Sequence, residues 1–172
     1  MYFCRSSSVG RATVLFESFV ANSGKKVKKI ELTSKEKGNL TELQCLLSFY
    51  ELGHKVSIPY GENCRYDFIL DVNGKLLKIQ CKTSRTEDDG KSFLFSCKST
   101  RKNNSSKAHT VAYTKEEIDY FATYYQGKCY LIPVEECGSE KRLRLSPPAN
   151  GQIKKVSFAK DYELKQVLQQ FA

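Results

Sequence analysis

Hydrophobic and polar positions alternate most clearly over Arg65 to Lys82, Arg-Tyr-Asp-Phe-Ile-Leu-Asp-Val-Asn-Gly-Lys-Leu-Leu-Lys-Ile-Gln-Cys-Lys. The run reads as two strands joined by a tight turn. Asn73-Gly74 is the dipeptide preferred in two-residue type I′ loops, where both central residues need positive φ. That turn fixes a register in which Val72 pairs with Lys75, Leu70 with Leu77, Phe68 with Ile79 and Tyr66 with Cys81. Side chains alternate along a strand, so the last three pairs form one apolar face. The other face carries Asp67 across from Gln80 and Arg65 across from Lys82, with directly opposed Cβ atoms about 5 Å apart. Two readings of that face are open. It is a polar solvent face on an edge hairpin, or it gathers a carboxylate, an amide and an amine for chemistry.

The pattern changes period upstream. Thr33-Ser34-Lys35-Glu36 has capping-box spacing, so a helix starts there and stops at Gly53, a natural C′ residue. Leu40, Leu43, Leu47 and Tyr50 recur at helical spacing and form the expected core stripe. Glu42 projects from the flank of a second apolar set, Cys45 or Leu46 and then Phe49, where a carboxylate is costly without a partner. Gly38, one turn earlier, allows a close approach at a cost of roughly 1 kcal/mol against Ala. Val56 to Ile58 is a short strand ended by Pro59, and Phe93 to Phe95 marks another. Ile118 to Tyr124 and Lys128 to Val134 read as covered central strands joined at Gln126-Gly127. Leu143 to Pro148 is a short extended piece, and Asp161 to Phe171 a C-terminal helix. Lys98 to Lys107 is polar and basic, either a loose connector or an arm that contacts phosphate.

Composition narrows the class. A chain of 172 residues with 40% hydrophobic and 27% charged residues can bury one domain-sized core. Residues 1–33, with the basic run Lys25 to Lys29, form an extension, and 34–172 a single domain. Ser7 to Ala12 looks like translated tRNA gene sequence, which marks the opening residues as leader. The net charge of +9 points to a polyanionic partner, most simply nucleic acid. Seven cysteines without a C-x-x-C pair argue against a disulfide framework or a zinc site, and for reduced thiols in the cytoplasm. Two histidines are too few for a histidine-based catalytic cluster. No apolar run approaches the ~20 residues of a membrane span. There is no internal repeat and no glycine-rich phosphate loop.

The polar hairpin face suits phosphodiester hydrolysis, which needs a divalent metal to polarise the phosphate and acidify an attacking water. Magnesium prefers oxygen ligands and keeps several waters, so one or two carboxylates suffice. Asp67 is the natural direct ligand, and the Gln80 oxygen can ligate or hold a metal-bound water. Lys82 shares a strand face with Gln80, where its ammonium reaches phosphate and water. Glu42 supplies a second carboxylate if the helix packs beside the hairpin.

Glu42 on a first helix, then Arg65-Tyr66-Asp67, then Gln80-Cys81-Lys82 resembles the PD-(D/E)XK nuclease superfamily. The branch it resembles carries Gln at the second acidic position and includes a group I intron homing endonuclease. Lys37-Gly38-Asn39, Asn63-Cys64, Ile118 to Phe121, Tyr130 to Val134 and Leu143 to Pro148 extend the likeness from Lys35 to about Leu164. The resemblance implies an α/β restriction-endonuclease-like core, a central mixed β-sheet flanked by helices. It implies Mg2+ (or Mn2+ as substitute) and no organic cofactor, with Asp67, Gln80 and Glu42 at the metal and Lys82 catalytic. It also implies double-stranded DNA as partner, no membrane, and a homo-oligomer, dimer or tetramer. Arg65, Lys98, Arg101, Lys102 and Lys107 are the candidate DNA contacts. A Holliday-junction resolvase, a restriction-type nuclease, and a non-catalytic DNA- or RNA-binding module are the alternatives on the same fold. Two positions depart from the superfamily pattern: Tyr66 stands where Pro is usual, and Gln80 removes a negative ligand, which weakens metal affinity or activity.

Overall fold

The computed structural model describes residues 31–61, 63–87, 90–102, 108–147 and 154–171. Residues 1–30 lie outside the described residues, as do 103–107, so the leader, the basic run at Lys25 and the Lys107 side chain are not placed. Compact units divide the chain at Met1–Leu32 and Thr33–Ala172. Only the second is described below.

Helix α1 (Ser34–Glu51) starts where its cap requires. Glu36 N–H donates to Thr33 Oγ1 at 3.3 Å, and Thr33 N–H donates back to Glu36 Oε2 at 2.8 Å. Gly53 at φ 81° ends the helix in a Schellman motif, with Gly53 N–H on Tyr50 O and His54 N–H on Phe49 O. The buried stripe is not the expected one. Thr41, Cys45 and Phe49 face the core, whereas Leu40, Leu43, Leu47 and Tyr50 are 43–62% exposed. The helix is apolar on two opposite faces, and the face with the smaller residues lies against the sheet. Thr41 and Cys45 let the helix sit close, and Phe49 packs edge-on against Phe68 at 6.2 Å.

Five strands form the central sheet, in order β1-β2-β3-β8-β9: β1 (Lys55–Ser57), β2 (Phe68–Val72), β3 (Lys75–Cys81), β8 (Tyr120–Tyr125) and β9 (Lys128–Pro133). It is mixed, because β3 and β8 run parallel while the other neighbours are antiparallel. The β2–β3 register agrees with the sequence expectation: Phe68 pairs with Ile79, Leu70 with Leu77 and Val72 with Lys75. Asn73 (φ 54°) and Gly74 (φ 86°) supply the positive-φ turn, and Asp71 Oδ1 accepts from Gly74 N–H at 2.8 Å. Tyr66 departs from that reading. It precedes the strand and packs against the core cluster that holds Phe121 and Phe95, separate from the cluster of Phe68 and Ile79.

One sheet face buries Phe68, Leu70, Ile79 and Cys81 under α1 and the short α2 (Leu164–Leu168). The other buries Phe121, Tyr130 and Ile132 under a three-stranded sheet, β10-β5-β4. Its strands are β4 (Arg85–Thr86), β5 (Ser92–Ser96) and β10 (Glu140–Arg144). The C-terminal helix is shorter than the pattern suggested: Glu163 bridges to Tyr130, which breaks Ala159–Tyr162 from α2. The basic stretch is also more regular than expected. β6 (Lys98–Lys102) pairs antiparallel with β7 (Ala108–Ala112), so the arm is a ribbon rather than a loop. Its polar residues carry no apolar alternation, and so gave no strand signal. Among the described residues all six cysteines are free, and no helix is long and apolar enough to cross a membrane.

Candidate active site

The C-terminal end of β3 is where the candidate residues converge. Asp67 lies just ahead of β2, and its N–H donates to Ile79 O at 2.8 Å, so the hairpin ladder reaches it. Asp67 Oδ2 accepts from Gln80 Nε2 at 2.5 Å and from Cys81 N–H at 2.6 Å. The Gln80 oxygen points the other way, accepting from Tyr113 OH at 3.2 Å. Lys82 Nζ donates to the same hydroxyl at 3.1 Å. A continuous network therefore runs Asp67, Gln80, Tyr113, Lys82. Lys82 N–H donates to Ala122 O at 2.9 Å, and β8 thereby fixes the backbone from which the amine projects.

Glu42 approaches from α1. The neighbouring Thr41 is buried, and its hydroxyl lies 3.2 Å from that of Thr83, one residue past Lys82. That contact ties the helix to the end of β3. Glu42 and Asp67 line one groove of about 470 Å³, together with Asn39, Ile58 and Cys64. Burial pushes the Glu42 carboxyl above its ordinary range, the Asp67 charge pushes it further, and Lys82 offsets part of this. Burial likewise raises Asp67, while the Cys81 N–H, Lys82 and Gln80 oppose the rise. Two desolvated carboxylates that repel one another are a place where a cation is favoured.

The other expected residues are less uniform. Arg65 is inside the protein, its side chain 14% exposed and paired with Glu117 at 2.9 Å. It donates to Ser99 Oγ on β6 and to Ala112 O on β7, and stacks 3.8 Å above the Tyr113 ring. Arg65 thus clamps the β6–β7 ribbon to Tyr113. Lys98 is half-buried at the base of the ribbon, and nothing is described of the Arg101 and Lys102 side chains beyond their place on β6. Tyr113 itself was missed. It follows a polar ribbon and is one of ten tyrosines, and no motif sets it apart.

A divalent cation fits the donors present. Asp67 and Glu42 offer the hard oxygens that magnesium takes, with room for its waters. Among the described residues no cluster of three His, Cys, Asp or Glu forms a cage. Gln80 has its nitrogen toward Asp67, so its oxygen reaches the groove only after the amide turns over.

A mixed sheet with a carboxylate and a lysine at the mouth of its central hairpin is a nuclease-type architecture. Residues 32–165 match the PD-(D/E)XK endonuclease family, and the chain belongs to that family. Among solved structures it is similar to the bacterial homing endonuclease I-Ssp6803I. The TM-score is 0.65 and the identity 23%, over 81% of this chain and 95% of that one. A search of the curated proteins finds no match.

Proposed function

We propose that this chain is a magnesium-dependent, site-specific endonuclease of the homing type, cutting double-stranded DNA in the cytoplasm as a homo-oligomer. The observation that carries it is the Asp67–Gln80–Tyr113–Lys82 network beside the Glu42 carboxylate. Asp67 and Glu42 are the proposed ligands of Mg2+, with Mn2+ as substitute, and Gln80, once its amide turns over, ligates or holds a coordinated water. Such an ion, when bound, supplies charge neutralisation at the phosphate and acidifies a water.

The chain's own groups do the remaining work. Lys82 holds an ammonium where phosphate oxygen and attacking water meet, and Tyr113 fixes it by accepting from Nζ. Gln80 keeps Asp67 in one rotamer and lends no charge of its own. The net charge of +9 draws in duplex DNA, and phosphate contacts release counterions. The β6–β7 ribbon, with Lys98, Arg101, Lys102 and the adjoining Lys107, is the proposed DNA arm. In this reading Arg65 positions the arm rather than touching DNA.

The experiment is cleavage of a plasmid library with magnesium, followed by sequencing of the ends. Recurrent ends at one sequence support the homing reading. Preference for branched substrates would favour a junction resolvase. Salt-sensitive DNA binding without any product in either metal would reduce the protein to a binding module.

A further inference from the structure

Among the described residues, four of the eight exposed large hydrophobic side chains lie on the outward face of α1. Leu40, Leu43, Leu47 and Tyr50 are exposed by 43, 62, 59 and 55%. At 3.6 residues per turn they fall on one stripe, opposite the buried Cys45, and span about 15 Å of helix. Ile58, 67% exposed, borders the same groove as Leu43 and extends the patch. A contiguous apolar strip of this kind marks an interaction surface.

The strip has an internal symmetry that selects its partner. Leu43 and Leu47 lie two residues either side of Cys45, and Leu40 and Tyr50 five either side. Turned end for end about Cys45, the stripe superposes on itself, apolar position on apolar position. That is the self-complementarity a two-fold, isologous interface demands. The charges obey the same operation. Lys37 and Glu51 are exposed on one flank of the stripe, near opposite ends of α1. In an antiparallel pair centred on Cys45, each Lys37 comes within about two residues' rise, some 3 Å along the axis, of the partner's Glu51.

We propose that α1 pairs antiparallel with α1 of a second copy of this chain, Leu43 against the partner's Leu47 and Leu40 against the partner's Tyr50, with Lys37 facing the partner's Glu51 at both ends. This gives the oligomer of the nuclease reading a surface, and it does not depend on DNA cleavage. Glu42 lies on the flank of the helix away from Lys37, so its groove borders the seam.

Sedimentation velocity of the full chain without DNA tests the pairing over a concentration series. A dimer is expected, and Leu47→Glu should raise its dissociation constant at least about tenfold, since the change is felt twice per interface. Circular dichroism of that variant should match the wild type, because Leu47 contributes little to the core. Lys37→Glu and Glu51→Lys should each weaken the dimer, and the double exchange should restore it. A monomeric wild type overturns the proposal and leaves the stripe to another partner. So does a dimer that survives Leu47→Glu, or single charge reversals that the double exchange does not repair. The readout is mass, so an inactive but dimeric protein would count against the nuclease reading alone.

Discussion

Two hairpins with the same turn lie side by side in the central sheet and do different things. β2–β3 turns at Asn73-Gly74 and β8–β9 at Gln126-Gly127, with positive φ at both residues in each. They are joined through the parallel β3–β8 pairing. In β8–β9 the middle positions are buried on both faces: Phe121, Ala122 and Thr123 on one strand, and Cys129 to Ile132 on the other. In β2–β3 burial alternates, and the half-buried face ends in Asp67, Gln80 and Lys82. The filled hairpin is a platform, and in the proposed nuclease the half-open one carries the chemistry. Lys82 shows the dependence, since its amide is held by Ala122 of the platform while its amine projects into the site.

That contrast breaks most sharply under substitution. Asp67→Asn should lower cleavage by about a thousandfold or more while leaving the melting temperature close to wild type, as expected of a group that acts through charge. Steady-state cleavage beside a thermal melt checks both halves. Tyr113→Phe keeps the ring stacked under Arg65 but removes the hydroxyl shared by Lys82 and Gln80. A loss of about tenfold in turnover, with DNA affinity unchanged, is expected of a residue that positions a catalytic group.

The pH response follows from the raised carboxyls. In the folded state Glu42 and Asp67 hold their protons to higher pH than in the unfolded chain. The folded state therefore binds more protons in that window, and stability falls as pH rises through it. Metal binding needs the ionised forms, so the acid limb of cleavage should lie above the ordinary carboxylate range. Glu42→Gln removes the carboxyl that burial and the Asp67 charge raise, so the acid limb that remains should follow Asp67 alone. A pH–rate profile of both proteins checks the sign.

The smallest expected effect lies on the platform. Thr123 is fully buried, and its hydroxyl is the one described buried side-chain atom without a hydrogen-bond partner. Thr123→Val should stabilise the fold by about 1 kcal/mol and leave cleavage unchanged. A denaturant titration measures it.

The half-open hairpin was legible because its information is local. A positive-φ turn sets the register, and the register puts Gln80 across from Asp67. A one-residue slip would have sent Gln80 to the other face. The orientation of α1 was not legible, because leucine stripe and core stripe are both apolar and periodicity does not rank them. Thr41 and Cys45 are the residues buried against the sheet, Cys45 in one cluster with Cys81, Ala122 and Cys129, and that is a tertiary fact. The surroundings of Arg65 were not legible for a similar reason. Its partners Glu117, Ser99 and Ala112 lie 34 to 52 residues away in the chain. Tyr113 joins the site only because the β6–β7 ribbon returns to it.

Magnesium-dependent cutting of duplex plasmid by the wild type and by Lys82→Ala, assayed side by side with and without a chelator, bears most directly on the role of the half-open hairpin. Expected is cleavage by the wild type that the chelator abolishes and that Lys82→Ala reduces by about a thousandfold. Equal activity in the two proteins would contradict it, and so would wild-type cleavage that persists in the chelator.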